Sequence, residues 1–246
     1  MIKDAAEGLS GLNVLQLVHE NTAAATMFGI DTKFEPNVTK TVLFYNMGGM
    51  DTEVSVVKYS LHNESAKKTS PYIEIVAEAW DKELGSSDLD IVLMNILADK
   101  FNALKEREGK PDVRENRRAV RRLFKDALKA KEVLSANKEA VIKVPELLDY
   151  VTLMTSVQRT EFEEGAKDFF ARVTKPVEEV LAKAGITVDD IDQVEVLGGG
   201  IRAPKVAELL EAYVKKDLSM HLNGDEAMCF GSSFIATNSS SKFKVK

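Results

Sequence analysis

The sequence has one cysteine, Cys229, and no second thiol for it to pair with. That excludes an internal disulfide and any multi-cysteine metal site. Cys229 falls in the apolar run Ala227-Met228-Cys229-Phe230, so a buried packing thiol is expected. Positive charge is also short: 33 Lys and Arg stand against 39 Asp and Glu, a formal net charge of −6. A general nucleic-acid or membrane-surface binder needs a positive field to meet phosphates, so neither class is expected. No apolar stretch approaches the roughly 18 residues that span a bilayer. The segment Met1-Ile2-Lys3-Asp4 carries no signal-peptide apolar region. Repeats are lacking, and low complexity is confined to the Ser-rich ending Ser239–Lys246.

What is present, 44% hydrophobic and 29% charged over 246 residues, suffices for one large domain or two subdomains sharing a core. Asn13–Leu17 reads as a short strand, followed by a turn at His19-Glu20-Asn21 and an Ala-rich helix closed by Gly29. Thr41–Tyr45 and Glu53–Ser60 flank Gly48-Gly49 as a hairpin. After a polar turn at Asn63–Ser70, Tyr72–Ala77 reads as a third antiparallel strand. From Asp88 the period becomes helical, ending near Glu108-Gly109, and an Arg- and Lys-rich helix runs from Arg114 to Ala136. Its arginines (Arg114, Arg117, Arg118, Arg121, Arg122) lack interleaved aromatics, so the face reads as solvated or partner-binding.

Val141–Tyr150, interrupted by Pro145, reads as strand or extended. Thr160 is expected to cap a helix, with Glu163 completing a capping box, and Pro176 to interrupt it before Lys183. Gln193–Leu197 is a buried strand running into Gly198-Gly199-Gly200, with Pro204 starting the next helix. A last helix covers Asp225 to Thr237. Three N-x-S/T sequons, at Asn37, Asn63 and Asn238, lie in polar stretches and suit glycosylation in a secretory compartment.

Two glycine clusters carry chemistry. Glycines let main chain approach a phosphate and aim successive N–H groups at it, and a following helix N-terminus adds potential for an anion. Gly48-Gly49 at a hairpin tip also reads as an ordinary turn. The strand–Gly198-Gly199-Gly200–helix element is the better candidate, although neither has Walker or Rossmann spacing.

Four motifs in order then carry a family resemblance. IKDAAEGLSGLNVLQLVHENTAAATMFGI (Ile2–Ile30) is similar to the heat shock protein 70 segment that turns through a catalytic glutamate into an Ala-rich helix. Val42–Val57 resembles that family's second phosphate loop, VLGGGIRAPKV (Val196–Val206) its adenosine-binding glycine turn, and NGDEA (Asn223–Ala227) the motif that follows. DVREN (Asp112–Asn116), KEVLSAN (Lys131–Asn137) and SKFKVK (Ser241–Lys246) look like the large endoplasmic-reticulum branch, the 170-kDa glucose-regulated or hypoxia up-regulated chaperones. The sequons agree with an endoplasmic-reticulum lumen location.

The resemblance implies an α/β, actin-like ATPase (ribonuclease H-like) lobe: a mixed sheet with flanking helices plus a helical/β outer subdomain. Residues 1–40 would cross from lobe I, 41–85 and 166–246 would form the core of lobe II, and 86–165 its outer subdomain. The chain would hold lobe II whole and begin after lobe I's phosphate loop and catalytic lysine. Glu20 falls at the glutamate that orients water and magnesium. Asn46 stands where an aspartate helps hold magnesium-bound water, and an amide cannot supply that charge.

Gly48 and Gly49 match the phosphate loop. Met50 replaces a third glycine, so its Cβ is expected to crowd the approach, and Asp51 would set a carboxylate near phosphate oxygens. Lys131 and Ser135, i and i+4 on one helix face, match the lysine and serine that hold ribose and adenine. Glu132 replaces an adenine-stacking arginine, and Leu128 a ribose-binding glutamate. Gly198, Gly199, Arg202 and Asp225 match the remaining adenosine contacts. The implied cofactors are ATP or ADP with Mg2+ shared with the missing lobe; no metal ligands are assigned within the chain itself.

Implied partners are a second heat shock protein 70, for nucleotide exchange under stress, and unfolded clients; nucleic acid and membrane are excluded. Hydrolysis by this stretch alone is expected to be weak or absent. A nucleotide-independent docking module remains the alternative.

Overall fold

The structure, a computed structural model, describes residues 2–65, 68–238 and 240. Ala66 and Lys67 of the expected polar turn, Ser239 of the third sequon and the ending Ser241–Lys246 lie outside the described residues. Helix α1 (Ile2–Ser10) buries none of its residues. Helix α2 (Glu20–Asp31) buries Ala23, Ala24, Ala25 and Phe28. Between them, 13–17 forms no strand, and Leu12, Leu15 and Leu17 are exposed. A strand exists only with a neighbour for its main-chain groups, and the sheet described below has none for this segment. Gly29 does not close α2; it sits inside the helix, where a Cβ would press within 2.9 Å of Ile73.

Strand β1 (Lys40–Met47) pairs antiparallel with β2 (Thr52–Ser65), and β2 with β3 (Lys68–Asp81). The two long strands thus absorb much of the polar stretch expected as a turn. Helix α3 (Ser86–Asn102) stops short of the expected Glu108-Gly109. Helix α4 (Arg117–Ala136) starts at Asn116, whose side chain accepts from the Arg118 and Ala119 amides.

Strands β4 (Glu139–Leu148) and β5 (Val151–Gln158) form a separate two-stranded sheet. Helix α5 (Arg159–Gly165) follows at once, with Gln158 rather than Thr160 at its N-cap and no side-chain cap. After the short α6 (Lys167–Phe170), Pro176 lies in the first turn of α7 (Lys175–Ala184), where its fixed φ suits a helix start rather than a break.

Strand β6 (Gln193–Leu197) lies parallel to β1, with Asn46 opposite Leu197. Helix α8 (Pro204–Val214), strand β7 (Leu218–Ser219) and helix α9 (Ala227–Asn238) complete the chain. The five-stranded mixed sheet has the order β3-β2-β1-β6-β7.

Period-two alternation in β1 builds two cores. Leu43, Tyr45 and Met47 join the larger apolar cluster with α3 to α8, while Val42 and Phe44 pack with Ala24, Ala25 and Phe28 of α2. Phe28 meets Phe44 edge to face at 5.6 Å. Buried hydroxyls find carbonyls: Tyr59 donates to Ala25 at 2.8 Å and Tyr45 to Val173 at 3.2 Å. Arg172 grips Asp81 through two short contacts of 2.6 and 2.7 Å, fixing the end of β3 to the α6–α7 turn. Cys229 is exposed, contrary to the expected packing thiol. The apolar run around it forms a helix whose buried residues are Ala227 and Gly231, so Cys229 falls on the outward face.

Candidate functional site

β1 and β6 run parallel, so their C-terminal ends deliver both glycine bends to the same sheet edge, where open α/β sheets bind ligands. The bends touch. Gly198 has φ +82°, and a Cβ there would overlap the Met47 carbonyl and come within 2.8 Å of Asn46 Oδ1. Only glycine takes that conformation against that neighbour without strain.

The first bend is braced from the other side. Ser86 and Ser87, opening α3, donate their amides to the Gly48 and Gly49 carbonyls at 3.0 and 2.8 Å. This close pass requires Gly85, whose Cβ would collide with the Gly49 carbonyl and the Met50 main chain. Met50 itself is 79% exposed, so its side chain stands out into solvent. The Gly48 amide is committed to the Asp51 carbonyl at 2.9 Å.

A cleft of about 420 Å³ opens between α4 and the second glycine bend. Lys131, Ser135, Gly199 and Arg202 all line it, with Phe162 and Phe170 as apolar wall. Asp225 is not in the lining; it is exposed on the loop whose Gly224 approaches the Gly198 amide. That loop is held by Glu195, fully buried in β6, which accepts from the Leu222 amide at 2.7 Å. Of the two departures noted on α4, Glu132 lines the cleft and Leu128 does not.

The Lys131 ammonium sits 2.7 Å from Asp90 Oδ1 and donates to the Ser86 carbonyl at 2.9 Å. Burial pushes the Asp90 carboxyl above its ordinary range, and Lys131 opposes that shift without cancelling it. Ser135 Oγ donates to the Glu132 carbonyl in its own helix at 2.7 Å, which leaves its lone pairs to accept.

At the other end, Asn46 Nδ2 donates to Glu20 Oε2 at 3.1 Å. The amide that replaces the expected aspartate therefore binds the glutamate directly. A smaller cavity of about 250 Å³ nearby is lined by Asn21, Asp51, Glu53, Glu78 and Trp80, and also by His19 and Lys82. The Asn21 side chain is 2% exposed and, among the described residues, both its polar atoms lack partners. Burial pushes the Glu53 carboxyl up, and the nearby charges of Glu20 and Asp51 push it further. Among the described residues, no group of three or more His, Cys, Asp or Glu is placed to hold a metal directly. Magnesium in phosphate sites keeps several waters and takes one or two carboxylates. Glu20, whose Oε2 accepts from Asn46, is a carboxylate of the type such a water-mediated contact requires.

Sequence reasoning missed Asp90, Ser86, Arg159 and the aromatic wall. Asp90 carried a signal, an acid on the apolar face of a helix between Leu89 and Leu93. Arg159, whose Nε donates to the Leu134 carbonyl at 2.8 Å, carried none.

Among known proteins, the sequence matches the family described as Hsp70 protein along residues 1–246. Hypoxia up-regulated protein 1 of Xenopus laevis is 39% identical over 98% of this chain and 37% of its own length. The Homo sapiens protein of the same name is 37% identical over 98% of this chain and 24% of its own. Heat shock 70 kDa protein 17 of Arabidopsis thaliana is 36% identical over 98% of this chain and 28% of its own. The chain thus spans well under half the length of these relatives.

Proposed function

The chain belongs to the Hsp70 family and carries its actin-like ATPase fold, and on that premise we propose that it is lobe II of an ATP-binding domain in a large chaperone. In this reading 41–85 and 166–246 are the core subdomain, 86–165 the outer one, and 1–40 the crossing segment. The observation that supports it best is the cleft in which Lys131, Ser135, Gly199 and Arg202 converge from helix and glycine bend. A nucleoside would lie there, with Arg202 against the base and Lys131 and Ser135 toward the sugar. The phosphates would reach toward Gly48, Gly49 and Gly198, and Mg2+ would be held through water by Glu20.

ATP or ADP binding, rather than turnover, is the function this geometry supports. Phosphoryl transfer depends on positioning and charge neutralisation around the transferred group. Here Asn46 withholds a charge and engages Glu20. Through the longer protein, the nucleotide state would control client binding and nucleotide exchange on a partner heat shock protein 70. The exposed turn carrying the Asn37 sequon supports a location in the endoplasmic-reticulum lumen.

Steady-state phosphate release from Mg·ATP tests the reading. Release near background is expected, and turnover like that of an intact chaperone would refute it. Full-length protein that docks its partners unchanged with and without nucleotide would favour a nucleotide-independent docking module.

A further inference from the structure

We infer that a glycan on Asn37 folds back onto the chain, its first sugars seated in a polar groove at the end of the five-stranded sheet remote from the glycine bends. This rests on the endoplasmic-reticulum reading above and deepens it.

The groove holds about 570 Å³, within the range of small-ligand sites. Strand register sets its floor. Thr41, Lys58 and Glu74 stand in one row across β1, β2 and β3, and Ser60 and Tyr72 pair in the next. Residues directly opposite one another share a sheet face. Val54 and Val56 of that face belong to the larger core with Val177 and Val180 of α7. Two and four residues further along β2 the face turns polar, at Lys58 and Ser60. Ile186 and Asp190, from the segment after α7, form the wall.

Such a lining suits a neutral, hydroxyl-rich ligand. The hydroxyls of Thr39, Thr41 and Ser60 can donate and accept, Lys58 donates, and the Glu74 and Asp190 carboxylates accept. The half-exposed Tyr72 ring offers apolar surface to the C–H face of a sugar. With one ammonium against two carboxylates, the lining gives a phosphate no advantage.

The occupant is tethered beside it. Thr39, the hydroxyl residue of the sequon Asn37-Val38-Thr39, is itself part of the lining. Asn37 lies two residues upstream, about 7 Å of chain. It is exposed at φ +64° in a turn closed by the Val38 amide on the Glu35 carbonyl at 3.4 Å. Asparagine takes that conformation more readily than most side chains. Transfer from a lipid-linked oligosaccharide pyrophosphate forms a C–N bond between the first sugar and Asn37 Nδ2. The sugar's C–O bond to the pyrophosphate breaks, and one amide proton is released. A tethered sugar meets the groove at millimolar effective concentration, so weak contacts suffice. β1 begins at the groove and runs eight residues, at about 3.3 Å each, to the first glycine bend, which keeps the two sites apart.

The test uses full-length protein from a glycosylating eukaryotic host. Mass spectrometry reads the Asn37 peptide, and hydrogen exchange follows the β2 and β3 amides around Ser60 and Tyr72. Asn37 is expected to carry the glycan. Its removal, by native enzymatic cleavage or by Asn37→Gln, is expected to speed exchange there about fivefold, the scale of one modest contact. Tyr72→Ala is expected to leave Asn37 glycosylated and to make exchange insensitive to the glycan, since groups in contact are not additive.

Should Tyr72→Ala fail to fold, Ser60→Ala with Glu74→Ala strips polar contacts from the same floor. It is expected to cut the effect of the glycan to about twofold or less. A glycan on Asn37 whose removal leaves exchange unchanged, or whose effect survives both sets of floor substitutions, would overturn the inference and leave the location reading standing. An unmodified Asn37 would overturn the inference together with the support that the sequon lends to that location.

Discussion

The two ends of the site solve the same electrostatic problem differently. At the proposed nucleoside end, a buried acid and a lysine pair with each other within the fold, the lysine lining the cleft. At the proposed phosphate end, Glu20, Asp51 and Glu53 stand close, and among the described residues none is in an ion pair. There the available answer from within is an amide: Asn46 donates to Glu20. The first end holds its charges in a close ion pair, whereas the second gathers carboxylates around a cavity that His19 and Lys82 also line, without a close ion pair among the described residues.

Gly198 belongs to both ends, so its substitution offers the harshest way to break the comparison. Gly198→Val forces a branched side chain into a left-handed position against the Met47 carbonyl. It is expected to cost about 3 kcal/mol or more, roughly 6–12 °C in Tm for a domain of this size, and to disable both ends together. Thermal unfolding by circular dichroism reads it.

Lys131→Met strikes the nucleoside end alone. It leaves Asp90 buried and unpaired, an expected loss of about 2 kcal/mol at neutral pH. The Asp90 carboxyl is already raised, and losing the lysine raises it further, so the penalty applies while the group is ionised and fades as pH falls through its folded value. Denaturant midpoints across a pH series would show the loss shrinking toward acid. A loss independent of pH would mean that the pair is not the cause.

Asn46→Asp sharpens the contrast at the phosphate end. It replaces a donated hydrogen bond with two facing carboxylates, at an expected cost of about 1 kcal/mol that Mg2+ partly restores. Paired melts with and without millimolar Mg2+ check this, and equal loss in both would count against a cation role there.

The smallest effect is a gain. Glu53 is raised by burial and by its acidic neighbours, so its ionised form opposes folding above its folded pKa. Glu53→Gln is expected to stabilise by a few tenths of a kcal/mol at neutral pH, the gain vanishing in acid where Glu53 is protonated. Urea midpoints at neutral and acidic pH measure it.

How far these ends were readable depended on whether the signal was local. The alternation around Gly48-Gly49, the buried run Gln193–Leu197 and Pro204 at a helix start are written over a few residues. So is the i, i+4 spacing of Lys131 and Ser135. Asn13–Leu17 looks like a strand by composition, but a strand needs a neighbour that composition does not report.

The β4–β5 hairpin was half missed because its turn is Asp149-Tyr150, both at positive φ, instead of a glycine pair. Arg107 and Lys110, contacting the Asp149 carboxylate, hold that turn from some forty residues away in sequence. Asp90 belongs with these cases. Its partner lies one helix later, and only packing α3 against α4 brings the two charges together.

Calorimetric titration of the full-length protein with Mg·ADP tests the central claim most directly. Saturating heat at a single site, abolished by Gly198→Val and weakened by Lys131→Met, is the result expected from a preformed nucleoside end. No heat at any concentration, with the protein folded and still engaging its partners, would contradict it.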